Sequence, residues 1–331
     1  MKLTATLAGL LVAAMPILAT AQPLTMVLSN DNNAKGLKGQ TFDFFVEKAK
    51  EALGDDLTAE MHHGGTLFDQ SSQVVGTQLG EAQIISPAIG IYSQLVPEVN
   101  MFELPFLLSS PAKIQAAFED ETLRALWVPN LQAKGIEPVA IWMNGPRAIG
   151  YRGDKPVLLP EDAQGLKIRV QSAPVYVAPF EAIHSNPVGV SWSETPTALE
   201  QGVIDGAEPT PNAWRGSGMW QMIDQITLTK HIYTAWIVGA NKMWWDGLTD
   251  AQREGLQSAL DAATAWNAEQ ADQINSEDLA FFESEGKKIN RLTEEQQAAW
   301  KDAMVPVWEK YGTEVIGEDG MQRLIEIAKS E

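Results

Sequence analysis

Apolar positions along the chain switch between a period of two and a period near four. A β-type run at 24–29 is followed by a helix over 41–53, where Phe42, Phe45, Val46, Ala49 and Leu53 share one face and Gly54 ends it. Strand, helix and strand follow at 57–63, 69–79 and 82–86, the alternation of a parallel α/β sheet. Helical patterns at 112–118 and 121–131, the second interrupted at Pro129, lead to a buried strand at 136–143 that closes a first set of elements.

A second set opens at 147–152 and continues with a strand at 166–170, helices at 175–184 and 193–201, and a short strand at 204–208. The β-rich stretch 225–241 is long enough to pass back into the first set. Thr249 and Gln252 form a capping box, and no proline or glycine breaks the helical pattern from Leu256 to Glu285. A helix of roughly 35 residues rises about 50 Å, enough to cross two lobes. Thr293 and Gln296 cap another helix, expected to carry Trp300, Val307 and Trp308, and a last helix covers 321–329. With no internal repeat and no Pro/Ser-rich linker, the lobes are expected to be joined by crossing strands, with a cleft between them. The boundaries fall at 22–146 plus about 236–275 for the first lobe, and about 147–235 plus 276–331 for the second.

The beginning of the chain changes the compartment. Lys2, an apolar stretch at 7–18 and Ala19-Thr20-Ala21 have the order of a cleavable secretory signal over 1–21, cut near Ala21/Gln22. The stretch is short of the ~20 residues that a spanning helix needs. There is no cysteine, which excludes disulfides, thiolate chemistry and a lipid-bearing anchor. The expected location is the periplasm, free in solution. A formal charge of −19, from 24 basic and 43 acidic residues, argues against nucleic acid as a partner. An anionic ligand would need a local basic pocket set against that field.

The residues do not make an enzyme. Four histidines, at 62, 63, 184 and 231, form no H-E-x-x-H and no paired spacing with carboxylates for a metal. His62-His63-Gly64-Gly65 lacks the G-x-S-x-G elbow that an esterase would pair with it. No G-x-G-x-x-G or P-loop offers a nucleotide cradle, so no cofactor is implied. Two lobes without nucleophile, metal or cofactor motif point to binding.

Between positions 145 and 206 the chain reads Gly145-Pro146-Arg147, then Pro160-Glu161-Asp162, then Gly165-Leu166-Lys167-Ile168-Arg169-Val170. It continues with Pro187-Val188, Ser193-Glu194, Ala198-Leu199, Gly202 and Asp205-Gly206. In this ordered pattern the chain resembles the extracytoplasmic solute receptors of TRAP transporters, the DctP family. The resemblance extends over essentially the whole chain beyond the leader, including Leu67, Gly80 and Glu103-Leu104-Pro105-Phe106. It implies an α/β, two-lobe periplasmic binding protein fold, with crossing strands and a long helix spanning both lobes. It also implies closure on a small organic acid and delivery to the TRAP membrane permease subunits.

By the same resemblance, Arg169 matches the arginine that forms a two-pronged salt bridge to the ligand carboxylate. A guanidinium suits that task because its paired N–H donors fit two carboxylate oxygens and it stays charged in a dry cleft. The alternative for Arg169 is a strand-surface pairing with Glu161 or Asp162. Arg147 matches a second arginine near the ligand, or else makes a salt bridge in the hinge. Trp192 falls where an aromatic ring covers the ligand, with core packing as the competing role. Ser172, three residues after Arg169, is a candidate polar contact. Pro209 stands where several relatives have an asparagine, which puts transfer of a C4-dicarboxylate or sialic-acid specificity in doubt and leaves Glu208 and Asn212 as polar candidates. From the first lobe, Trp236, Phe68 and Asp69 are candidates to line the cleft, against packing or helix capping. Convergence of Trp192, Trp236 and Phe68 would make the pocket aromatic and favour a compact monocarboxylate, keto acid or aromatic acid. A sulfonate receptor, a solute sensor and an unrecognised exported enzyme are the other functional readings. Trp244, Trp245, Trp300 and Trp308 are assigned to packing.

Overall fold

The structure is a computed structural model that describes residues 24–330, so the leader at 1–21 and its cleavage point lie outside the described residues. From β1 (Leu24–Ser29) the chain runs through α1 (Leu37–Leu53), β2 (Leu57–His62), α2 (Gln73–Gln78), β3 (Ile84–Ile85), α3 (Ile89–Tyr92), α4 (Pro111–Glu119) and α5 (Glu121–Ala133) into β4 (Ile136–Pro146). Next come β5 (Ile149–Tyr151), β6 (Lys167–Val170), α6 (Pro174–Ala182), β7 (Asn186–Gly189), α7 (Thr195–Glu200), β8 (Gly206–Ala207), α8 (Pro211–Gly216) and β9 (Gln225–Thr227). The return comprises β10 (Tyr233–Asn241), α9 (Lys242–Asp246), α10 (Asp250–Ser284), β11 (Lys288–Asn290), α11 (Glu294–Met304) and α12 (Glu314–Lys329).

Two mixed sheets result, ordered β2-β1-β3-β10-β4 and β11-β9-β5-β8-β6-β7. Each centres one lobe of an α/β fold. The β-rich stretch after position 225 divides as the apolar pattern suggests: β9 belongs to the second sheet and β10 to the first. β10 pairs antiparallel with β4 along its whole length, from Tyr233 opposite Pro146 to Asn241 opposite Ile136. All nine β10 residues are buried, which is why no polar alternation marks this strand in the sequence.

The long helix α10 has the expected 35 residues and the Thr249–Gln252 capping box. It packs on α1 and β4 in the first lobe and on α8 and β11 in the second. At the passage between lobes the β4–β10 ladder slips by one residue, pairing Ala235 with Met143 but Thr234 with Gly145, so Asn144 bulges out. Gly145 takes a φ of +126° there, against Asn275 of α10, a close approach that a side chain would block.

Several elements differ from the pattern reading. α5 runs through Pro129, because Trp127, Val128 and Leu131 are buried on either side of it and the proline sits near the C-terminal turn. The helix expected at 69–79 is only α2, since the chain ahead of it is a turn held by Asp69. Residues 193–201 start as a 3₁₀ turn, Trp192–Glu194, before α7. α11 ends at Met304, ahead of Pro306, and does not carry Trp308. The last helix, assigned by sequence to the second lobe, instead packs on α4 and α5 of the first: Arg323 bonds Asp120, and Lys113 Nζ donates to Ala328 O at 2.6 Å. Trp245 and Trp300 are buried and Trp308 donates to Pro105 O, so these indoles pack as expected.

Candidate ligand-binding site

The C-terminal ends of β1 and β6 face one another across the gap between the sheets, the edge at which open α/β sheets bind ligands. After β1 the chain continues as Asn30-Asp31-Asn32-Asn33, and after Arg169 in β6 as Val170-Gln171. Asp31, Asn32, Lys38, Gln70, Trp236 and Asn144 from one side, and Arg147, Arg169, Gln171 and Trp192 from the other, line a cavity of about 40 Å³. A space of that size admits only a few non-hydrogen atoms without movement of the lobes. The lobes already touch beside it, where Asn33 Nδ2 donates to Gly216 O.

Arg169 lies between β8 and β7, opposite Ala207 and Val188. Neither Glu161 nor Asp162 pairs with it; Asp162 is taken by Lys155 and by the backbone of Leu158 and Leu159. Arg169 is 2 % exposed, its Nε donates to Val190 O at 2.9 Å, and its Nη2 has no partner among the described residues. Burial pulls its pKa down to about 10, with Glu208 opposing and Arg147 reinforcing that shift. The Trp192 ring lies 5.4 Å from the guanidinium carbon, a cation–π support for a charge that no carboxylate among the described residues pairs.

Arg147 lines the same cavity but is already paired: its Nε and Nη2 donate to the two carboxylate oxygens of Glu208. Burial would raise the Glu208 carboxyl, yet Arg147 and His231 outweigh it and hold it below the usual range. His231 sits 3.2 Å from Glu208 and its Nδ1 is 2.7 Å from Thr229 Oγ1. Burial lowers the His231 pKa, so a neutral ring with its proton on Nε2 satisfies both neighbours. The Arg147 backbone is fixed as well, donating to Ile232 O and accepting from Lys230 N.

Residues 28–314 match the family described as bacterial extracellular solute-binding protein, family 7, DctP. The chain belongs to this family. The DctP protein of Vibrio cholerae, a C4-dicarboxylate-binding periplasmic protein, is 28% identical over 292 residues, 87% of this chain and 85% of the relative. The ectoine-binding periplasmic protein TeaA of Halomonas elongata is 28% identical over 295 residues, 87% of this chain and 85% of the relative. A TRAP periplasmic solute-binding protein from Sulfurospirillum deleyianum, solved with bound succinate, superimposes with a TM-score of 0.85 at 27% identity, covering 92% of this chain and 99% of that one. DctP-family relatives are solute-binding receptors rather than enzymes, and periplasmic ones. No helix of the described residues is long and apolar enough to cross a membrane.

The sequence candidates of this DctP-family chain divide sharply. Arg169, Arg147, Trp192 and Trp236 line the cavity. Ser172 is exposed and outside it; side chains alternate along β6 and its continuation, so Arg169 and Gln171 share a face and Gln171 takes the place expected of Ser172. Phe68 packs over Gly76 of α2 rather than against the cavity. Asp69 holds the turn before α2, accepting from Ser71 N at 3.1 Å and Ser72 N at 2.9 Å. These bonds, led by the Ser72 hydroxyl and opposed by burial, keep its carboxyl below the usual range. Glu208 lies behind Arg147, outside the cavity. Asn212 also stands apart: its amide bonds Asn144 and Asn275, and it lines an adjoining crevice that shares Asn32 and Trp192 with the cavity.

Asp31, Lys38, Gln70 and Gln171 are cavity residues that pattern reading missed. A polar run directly after a parallel strand marks Asp31. Lys38 carries no such signal, because a lysine in the first turn of an amphipathic helix ordinarily faces solvent. Here Lys38 is buried, bonded to Asp31 at 2.5 Å and Ser86 O at 3.0 Å, with Nζ 4.8 Å from the Trp236 ring centroid.

Proposed function

We propose that this protein captures a small organic carboxylate in the periplasm, anchors it on Arg169, closes its lobes over it, and presents it to TRAP membrane subunits without chemical change. The leader at 1–21 directs export and is removed near Ala21. The first lobe then comprises 22–146, 233–275 and the final helix, and the second lobe 147–232 with 276–304. The observation that carries the reading is the buried, unpartnered Nη2 of Arg169 at a cavity that Trp192 and Trp236 also line. A buried cationic donor without an acceptor is costly, and an incoming carboxylate removes that cost.

Arg147 plays a different part. Because Glu208 already accepts both its donors, it is charge-compensated and holds the joint, while Arg169 makes the direct contact. Thermal unfolding against a panel of keto, hydroxy, aromatic, dicarboxylic and sugar acids, with sulfonates included, tests the reading. An acid at 100 times its dissociation constant stabilises the folded form by about 2.7 kcal/mol, a shift of a few degrees. The shift disappears in Arg169→Ala. An equal shift in that variant, or a response to sulfonates alone, contradicts the proposal.

A further inference from the structure

This inference rests on the cavity beside Arg169 being the ligand site. Among the described residues, four charged side chains line that cavity, and three of them are compensated. Arg147 is paired with Glu208, and Lys38 with Asp31. Arg169 is the charge left over. One ligand carboxylate therefore balances the cavity. A second carboxylate would leave a net negative charge in a buried space, and an ammonium on the same ligand would leave a net positive one; both are strongly disfavoured without a counter-charge.

Hydrogen bonding points the same way independently. The Asp31 side chain is 4 % exposed; its Oδ1 accepts from Lys38 Nζ, and its Oδ2 has no partner among the described residues. Gln171 Oε1, on the facing wall, is also buried without a partner. A buried acceptor left without a donor carries its full desolvation cost. A second ligand carboxylate offers only acceptors and cannot relieve Asp31. A hydroxyl can, and it adds no charge.

We propose that Asp31 is a second anchor and sets specificity: the ligand is a compact hydroxy-monocarboxylate whose carboxylate meets Arg169 and whose hydroxyl donates to Asp31 Oδ2. Lys38 takes Oδ1 and so leaves the other oxygen for the solute, while Trp192 and Trp236 cover the carbon between the two anchors. Asp31 thereby discriminates against dicarboxylates, the solutes named for the Vibrio cholerae relative and the Sulfurospirillum deleyianum structure.

Calorimetric titration with matched acids tests this. One series is butyrate, 2- and 4-hydroxybutyrate, 4-aminobutyrate and succinate; the shorter one is propionate, lactate, 3-hydroxypropionate, β-alanine and malonate. A hydroxy acid is expected to bind about tenfold or more tightly than its unsubstituted, amino and dicarboxylate counterparts, the worth of one charge-assisted hydrogen bond. Asp31→Ala narrows the hydroxy-to-unsubstituted ratio to about twofold, the group's hydrogen bond being gone. A dicarboxylate or amino acid ranking first, or a hydroxyl preference that survives Asp31→Ala, overturns the proposal. Should Asp31→Ala leave Lys38 unpaired and fail to fold, the wild-type ranking alone decides. Arg169→Ala separates the two readings: if it abolishes binding of whichever acid ranks first, carboxylate capture stands even where the Asp31 assignment falls, and if no carboxylate binds the wild type, both fall.

Discussion

Arg147 and Glu208 meet through two parallel hydrogen bonds at the joint between the lobes, with His231 closing the far side of the carboxylate. Both side chains are essentially excluded from solvent. Breaking such a pair leaves one buried charge without its partner, so Glu208→Gln should lower stability by about 3–5 kcal/mol. Denaturant unfolding measures this. The double variant Arg147→Met/Glu208→Gln, which leaves no orphaned charge, should recover at least half of the loss, and a double variant worse than the single one would contradict this account of the pair.

Glu103 supplies a pH dependence of defined sign. It is fully buried and accepts from Thr234 Oγ1 at 2.9 Å; burial, opposed by Arg147, pushes its pKa up to about 8 from the ordinary 4.5. Between those values the folded chain holds a proton that the unfolded chain releases, so stability falls as pH rises through the window and levels off above it. Glu103→Gln cannot lose that proton. Relative to wild type, the variant should gain on the order of 3 kcal/mol on going from pH 5 to pH 9, read from unfolding curves at both.

Asn267 and Asn275 of α10 serve the bulge in β4. Asn267 bonds both backbone groups of Met143, and Asn275 donates to Asn144 O at 2.8 Å while accepting from Asn212 N at 3.0 Å. β4 is the edge strand of its sheet, and these bonds satisfy backbone groups that have no further strand to pair with. Asn275→Ala should cost about 2–3 kcal/mol for the buried groups it strands. Hydrogen exchange should quicken at Asn212, whose amide loses its acceptor.

Lobe closure has a tight point at Gly90. A methyl group there would lie 2.5 Å from Tyr176 Cε2 and 3.0 Å from Ala173 Cβ, joining α3 of the first lobe to α6 of the second. Gly90→Ala should hold the lobes apart and weaken ligand binding by about tenfold, an effect the size of a modest steric penalty. Titration of the variant beside the wild type checks it, with small-angle scattering in saturating ligand expected to show a larger radius of gyration.

The architecture was more legible than the site, for physical reasons. The 35-residue α10 declared itself by an unbroken period and the Thr249–Gln252 cap, and β4 and β10 by continuous apolar runs. Arg169 and Arg147 stand out in the sequence because a long ordered pattern surrounds them. Asp31 and Lys38 were missed because their significance lies in a contact seven residues apart that becomes visible only when α1 folds back over the end of β1. Ser172 stood out as a short polar side chain three residues after Arg169, whereas strand alternation favours the residue two positions on, Gln171. The placement of the last helix beside α4 and α5 depends on its apolar face and on Arg323 reaching Asp120, a pairing between distant segments that local periodicity does not encode.

The most direct measurement is a crystal structure of the protein with the acid that stabilises it most. Capture on Arg169 requires a ligand carboxylate about 3 Å from its Nη2, between Trp192 and Trp236, with Arg147 still paired to Glu208. A carboxylate bound elsewhere, or one that draws Arg147 away from Glu208 while Arg169 Nη2 stays unpartnered, would contradict it.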